Sequence, residues 1–392
     1  MRPLVSAVAF LLLALLIAKR VRVSSRDVSI ISGFGAILAV QAVSLGTIGV
    51  LSVLGFIAKL LTAFAVVRLI RNFAKVYVDA MFWTATISFP FFALMIATQG
   101  RIASMVEPLS FKVPDPFFLV HYFASPHLLQ NNSYFWEPGV FAGYLVVALI
   151  FLGGVREQYS FRRYRLIVFV LLAAVASTRS TGGYLMAPLA MVFHGKAMGK
   201  NIVVRAVPVM VAIAGLIFVY TSSDFLGKKI SNQFEEVQGQ GNGWQLTRLG
   251  SLLYDFRLIK ERPLIGWGPD PDLQNAVVDQ VVTHREGNGL SKFTASFGFI
   301  GVALFMATTW VGFRNLFHGK TRLATLALII IVGMLNDEPF LSFSLFMTLM
   351  FLRRPVLGTA GSSSAARYAP DGPDSVGGHL TPAVSGPLNP VI

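Results

Sequence analysis

Residues 166–193 read LIVFVLLAAVASTRSTGGYLMAPLAMVF, and Arg179 near the middle is their one charged side chain. Basic clusters flank the stretch on both sides: Arg162, Arg163 and Arg165 before it, Lys196, Lys200 and Arg205 after it. Two positive flanks on one side of a bilayer require the chain to cross and return between them. Each crossing then averages about 14 residues, about 21 Å at the helical rise, against a hydrocarbon core of about 30 Å. Arg179 therefore sits below the bilayer surface, or the bilayer thins around it. An Arg at such depth is costly and faces a cavity or a partner. The structural alternative is an Arg that snorkels to the interface.

The rest of the chain repeats this grammar. Of 392 residues, 54% are hydrophobic and only 13% are charged, yet Lys+Arg number 33 against 19 Asp+Glu, a net +14. Mean hydropathy is +0.65. Charges this sparse, placed between long apolar runs, exclude a soluble enzyme or a disordered chain and define a polytopic all-α membrane protein. The basic charge is a topology signal and does not point to nucleic acid. With no cysteine, disulfides, zinc–thiolate sites and iron–sulfur clusters are excluded.

About eleven transmembrane helices (ten to twelve) are expected, at 3–18, 28–44, 46–67, 76–98, 138–153, 166–178, 181–194, 203–221, 293–313, 323–336 and 338–352. Residues 28–58 are free of charge, with Ser44-Leu45-Gly46-Thr47 expected to turn between two helices. Alternate loops carry 21 of the 33 basic residues and 5 of the 19 acids. That bias puts them in the cytoplasm, with the N-terminus outside and the C-terminus inside. The first run is not a cleaved signal peptide, because Lys19-Arg20 follows it without a small-x-small site. Residues 1–354 are read as one membrane domain with two long outer loops, 99–137 and 222–292; loops of that length carry function. Residues 355–392, rich in Gly, Ser, Pro and Ala, are expected to be a disordered cytoplasmic tail. No phosphate-loop motif occurs, which disfavours ATP-driven transport by this chain.

Four places can carry chemistry. In Asn131-Asn132-Ser133-Tyr134-Phe135-Trp136-Glu137-Pro138, Pro138 suits a first helical turn and Glu137 is favoured by the helix dipole. Glu137 is either a plain helix start or a general base or sugar-hydroxyl ligand. Arg179 suits a diphosphate, since a guanidinium binds phosphate oxygens in a bidentate way. In RLGSLLYDFRLIKERPLIGWG (248–268), Leu249, Leu252, Leu253, Phe256 and Ile259 follow helical spacing, and Pro263 and Gly266 end the helix. Arg248 at its N-terminal end is electrostatically disfavoured unless an anion binds there, while Arg257, Lys260 and Arg262 are read as solvated or headgroup-facing. His284 is the one His between residues 195 and 317 and precedes a membrane helix; a lone loop His is also ordinary polar surface. Pro269-Asp270-Pro271-Asp272 resembles a metal-holding D-x-D but reads better as a polar turn, so no metal site is assigned.

Taken together, residues 120–350 resemble the O-antigen ligase and polysaccharide polymerase superfamily. The resemblance rests on Arg179 in a Ser/Thr-rich helix break, on Arg248 followed by a helix and P-L-x-G-x-G at Pro263–Gly268, and on one large outer loop late in the chain. Phe135-Trp136-Glu137-Pro138 is similar to the polymerase branch. The family's His-Asn, eleven residues before a G-x-x-G helix, falls here on Gly287-Asn288, with His284 three residues earlier; this weakens the ligase assignment. The resemblance implies a GT-C-like fold with a partly helical periplasmic loop, and an inverting glycosyl transfer from undecaprenyl-diphosphate-linked oligosaccharide at the periplasmic face of the inner membrane, with neither metal nor cofactor. Arg179 and Arg248 would bind the diphosphate, and Glu137 or His284 would be the base. The expected partners are that lipid-linked donor, the bilayer and a chain-length regulator protein. A ligase moving glycan to lipid A core is the close alternative. A lipid-linked oligosaccharide flippase is the alternative of another class; it would need charges along a central pathway, for which Asp79 and Arg179 are the main candidates at depth.

Overall fold

The computed structural model describes residues 2–21, 23–46, 49–106, 117–118, 121–122, 130–195, 245–246, 248–278, 284–285, 288–337 and 339–355. The chain divides into two units, 1–356 and 357–392. The crossing expected at 203–221 and the tail beyond residue 355 lie outside the described residues.

Thirteen α-helices are described: α1 (Arg2–Ala18), α2 (Ser25–Leu45), α3 (Val50–Leu69), α4 (Phe73–Ala97), α5 (Arg101–Val106), α6 (Pro138–Gly154), α7 (Phe161–Thr178), α8 (Thr181–Ala190), α9 (Arg248–Glu261), α10 (Pro271–Val278), α11 (Gly289–Leu316), α12 (Thr321–Asp337) and α13 (Ser344–Met347). Two-residue strands β1 (Phe117–Phe118) and β2 (His121–Tyr122) pair antiparallel; β3 (Gln245–Leu246) and β4 (His284–Arg285) pair parallel. Among the described residues, α2, α3, α4 and α11 are long and apolar enough to cross a membrane, and α6 and α12 are shorter apolar helices. Large apolar side chains on the outside, such as Val43, Leu51 and Phe169, suit a lipid environment.

Local sequence sets the boundaries. Ser24 caps α2 in a reciprocal capping box with Asp27, which satisfies two of the N–H groups that a helix start leaves open. Gly46 ends α2 in the left-handed region, φ 68°, at the expected turn. Ser160 and Ser180 cap α7 and α8 through their side chains, and the α7–α8 break falls at Arg179 as the 28-residue arithmetic requires. Helix α6 is apolar on every side and buried from Pro138 to Leu152, the mark of a helix surrounded by others. Its small residues admit close neighbours: a Cβ on Gly143 would meet the Phe340 ring, and one on Gly154 the Leu316 side chain.

Residues 338–352 depart from expectation. They form a 3-10 turn at Phe340–Ser342, the four-residue α13, and a second 3-10 turn at Thr348–Phe351. Pro339 and the extended Phe343 (φ −117°, ψ 135°) interrupt the helix. The segment packs inward, with Phe340 and Phe346 against Tyr144 and Phe351 against Phe64.

The expected alternation of basic loops is visible as a common end. Arg26 donates to the carbonyls of Leu352, Met350 and Thr308, and Arg68 pairs with Asp27. Asn72 donates to Gln158 at 2.7 Å, and the Tyr159 hydroxyl to Asp79 at 3.1 Å. These bonds gather the start of α2, the end of α3, the start of α4, the α6–α7 loop and residue 352 together. Asp79 also holds Lys75 at 2.6 Å, so this acid stands at that end of the bundle and is engaged in local pairing.

Candidate functional site

Helix α11 is broken at Gly298, whose φ of 64° and ψ of −177° are non-helical. A break strands carbonyls before it and N–H groups after it, and inside a membrane each must find a partner. Residues 263–268 supply them. The Ala295 carbonyl accepts from Trp267 N–H at 2.9 Å and the Ser296 carbonyl from Gly268 N–H at 2.8 Å. Beyond the break, Phe299 N–H donates to the Pro263 carbonyl at 2.7 Å and Ile300 N–H to the Leu264 carbonyl at 3.1 Å. The approach is possible because Gly266 (φ 69°) and Gly298 have no side chain: a Cβ on Gly266 would stand 2.6 Å from the Ser296 carbonyl carbon. The P-L-I-G-W-G turn and the F-G-F-I-G helix are thus two halves of one backbone junction.

Side chains lock the junction. Gln41 Nε2 donates to the carbonyls of Ile265 and Ser296, at 2.5 and 2.8 Å. Gln274 Nε2 donates to the Gly268 carbonyl at 2.7 Å. Arg262 lies over the Trp267 ring at 4.5 Å and donates to Ser44 Oγ at 3.1 Å, so it belongs to the fold, whereas Arg257 and Lys260 are exposed as expected. Asp270 Oδ1 accepts from Asp272 N–H at 3.3 Å at the start of α10, which makes Asp270-Pro271-Asp272 a helix start. Helix α9 lies along the first half of α11: Tyr254 and Leu258 pack on Ala295, and Ser291 Oγ donates to Asp255 Oδ2 at 2.6 Å.

The second cluster surrounds the α7–α8 break. Asn131 N–H donates to the Ser177 carbonyl at 2.9 Å, and Asn131 Nδ2 donates to Ser88 Oγ at 2.8 Å and Ser177 Oγ at 3.1 Å. Thr178 Oγ1 accepts from Ser180 N–H at 3.2 Å, and Ser180 Oγ from Gly183 N–H at 3.2 Å. The hydroxyls of Ser177, Thr178 and Ser180 therefore serve the backbone or the docked turn. Arg179 does not: it occupies the left-handed cap position at φ 51° with its side chain exposed, and among the described residues it makes no ion pair. The hairpin is short. The Tyr164 hydroxyl meets His194 at its base, and Tyr164 to Thr178 spans about 21 Å of helix. Helix α4, by contrast, continues past Ser88 to Ala97, about 13 Å further.

The four sequence-derived residues thus fall in two clusters, each with one cation and one candidate base. Glu137 and Arg179 share the α6–α8 cluster: Glu137 is the N-cap residue of α6, half-buried, with Pro138 following it, six residues from the Asn131 that docks on Ser177. Arg248 is the first residue of α9, and the strand carrying His284 pairs with Gln245 three residues upstream. Gln41 was missed by the sequence reading. Its signal was a lone amide deep in the charge-free run 28–58, since polar side chains inside membrane helices face partners. His121, in the segment between α5 and α6, stacks on Phe91, and burial pushes its pKa down to about 4. Tyr134 has its hydroxyl pushed up by burial, partly offset by a bond with Thr84.

The O-antigen ligase family profile matches residues 166–306. The match begins within α7 and ends past the α11 break, taking in Arg179, Arg248, the 263–268 turn, His284 and Gly298 and leaving out Glu137. Over this stretch, about a third of the chain, the protein is similar to O-antigen ligases, and the match supports the O-antigen ligase and polymerase superfamily. Members of that family are glycosyltransferase-like enzymes acting on lipid-linked sugars. No curated protein and no solved structure matches the chain.

Proposed function

We propose that this chain is a polysaccharide polymerase that transfers undecaprenyl-diphosphate-linked repeat units to a growing glycan at the periplasmic face of the inner membrane. The observation that carries the reading is the junction of residues 263–268 with the α11 break, because it anchors the helix bearing Arg248 to a membrane helix within the family-matched stretch. In the reaction an acceptor hydroxyl attacks the anomeric carbon and the bond to the diphosphate breaks. The hydroxyl proton passes to Glu137 or His284, and undecaprenyl diphosphate leaves. Arg179 and Arg248 stabilise the charge that develops on the leaving oxygens. Attack opposite the leaving group inverts the anomeric centre, and these residues perform the transfer without a metal. The reading includes an eleven-crossing membrane domain with the Arg179 and Arg248 clusters outside and the C-terminus in the cytoplasm. Glu137 at the start of α6, beside the Arg179 break, favours polymerase, as does Gly287-Asn288 where a ligase would carry His-Asn.

The second reading is a ligase transferring finished glycan to an acceptor such as lipid A core, favoured by the description of the matching family. Sizing the lipid-linked saccharides that accumulate on deletion of the gene separates the two. Single repeat units on the carrier at the outer side mean polymerase, and long polymer on the carrier means ligase. Single units trapped on the inner side mean a flippase and overturn both. Intact polymer output from a normally expressed Arg248→Ala variant would remove that residue from the mechanism.

A further inference from the structure

Where α7 begins beside α4, at the basic end of the bundle, cations lie on aromatic rings. The Arg163 guanidinium stands over the Phe82 ring at 4.3 Å and reaches the Trp83 ring at 5.8 Å. Arg165 lies over Phe161 at 5.5 Å, Arg156 over Tyr164 at 5.6 Å and Lys75 over Tyr159 at 5.0 Å. A ring attracts a cation to its face without neutralising its charge. Lys75 has an acid as well, Asp79. Arg162, Arg163 and Arg165 have none: among the described residues their guanidinium groups make no ion pair and donate no hydrogen bond. The three charges crowd the first turns of α7, where the helix dipole adds to their mutual repulsion. Trp83 is 54% exposed and shares one face of α4 with the exposed Val76, Ile87 and Leu94, an apolar stripe turned outward. In a membrane helix an outward tryptophan marks the level of the lipid headgroups. Arg163, half-buried, is thus fixed at that level with its charge unanswered by protein.

We propose that Arg163, with Arg162 and Arg165 beside it, binds the phosphate of an acidic phospholipid in the leaflet at this end, and that the lipid's acyl chain lies along the Trp83, Ile87 and Leu94 face of α4. A guanidinium laid over a ring keeps its N–H donors in its own plane, and that planar fork matches two phosphate oxygens. The rings place the cation before the lipid arrives, so less side-chain freedom is lost on binding. Basic loops set topology wherever they occur. This one differs in holding unpaired arginines on fixed rings next to a tryptophan that faces lipid, the kind of basic site that selects a charged headgroup. The site goes beyond the glycosyl-transfer reading and does not depend on it; it requires only that the chain spans a membrane.

The test offers the full-length protein, purified in detergent, either dioleoyl phosphatidylglycerol or dioleoyl phosphatidylcholine and counts the retained lipid by native mass spectrometry. The wild type is expected to prefer phosphatidylglycerol by about fivefold or more. Arg163→Gln, which removes the charge and keeps an amide, is expected to lose that preference. Arg322→Gln makes the same change of charge at an exposed arginine of α12 that lies on no ring among the described residues, and it should keep the preference. Equal losses from Arg163→Gln and Arg322→Gln overturn the site, because net charge alone would then account for the selection. A wild type that retains both lipids equally overturns it too. So does a wild type that ignores both lipids and binds a poly-glutamate peptide, which would give the surface to an acidic protein segment. Should Arg163→Gln fail to fold, Trp83→Leu, on the outward face, is read against the same two lipids: a lost preference supports the site, and an intact one overturns it.

Discussion

A Cβ placed on Gly298 would overlap the carbonyl group of Leu264, so the break in α11 and the turn that fills it exclude any side chain between them. The obstacle is backbone on both sides and cannot rotate away. The φ and ψ of Gly298 also fall in a region that is essentially glycine's alone. Gly298→Ala is expected to lose more than about 3 kcal/mol of stability, read as a large drop in melting temperature in detergent. Gly35, where an added methyl group would meet nothing within 4 Å, is the control: Gly35→Ala should be neutral, or stabilising by up to about 1 kcal/mol.

Gln41 donates from one nitrogen to two carbonyls of different segments. Gln41→Leu strips the Ile265 carbonyl of this donor but leaves the Ser296 carbonyl bonded to Gly268 N–H. The expected cost is about 1–3 kcal/mol, with faster amide exchange at Trp267 and Gly268 than at residues of α6. Equal exchange in the variant and the wild type would mean that the turn holds itself without Gln41.

At the basic end, Arg68 and Asp27 pair with side chains 4% and 1% exposed. Removing one partner of a buried pair leaves an uncompensated charge and costs about 3–5 kcal/mol. Arg68→Met should therefore be strongly destabilised, and the double variant Arg68→Met, Asp27→Asn less so. Additive losses in the double-mutant cycle would contradict direct coupling.

His121 sets a pH dependence of stability. Its pKa falls from 6.5 to about 4 on burial, so the unfolded chain takes up a proton before the folded one does. Its contribution is fully present above about pH 6.5 and is lost as pH falls toward 4, by at most about 3 kcal/mol. His121→Gln should flatten melting temperature against pH across that window, and an unchanged slope would assign the acid sensitivity elsewhere.

The α7–α8 hairpin was legible because counting residues between two basic flanks is a length argument, and the fold keeps chain length intact. The Ser/Thr residues around Arg179 were legible as a helix break for the same reason that they cap it: short hydroxyl side chains compete for backbone N–H groups. Residues 338–352 were not, because an apolar run records a non-aqueous surrounding and not a path; the same phenylalanines serve a crossing helix or an inward wedge. The P-L-I-G-W-G turn and the Gly298 helix were both conspicuous, but spacing along a chain says nothing of which carbonyl accepts from which N–H. Gln41 reaches residues 224 and 255 positions away, a separation at which a single sequence carries no pairing signal.

Among the bonds that fasten α11, Arg26 grips the Thr308 carbonyl at 2.7 Å, and four backbone bonds with residues 263–268 hold it around Gly298. That arrangement fixes the gauge of the connection between α9 and α11. One residue inserted between Glu261 and Gly266 would put α9 out of step with the four bonds that hold the break at Gly298. The loop can exchange side chains freely at Leu264 and Ile265, but its length is not negotiable.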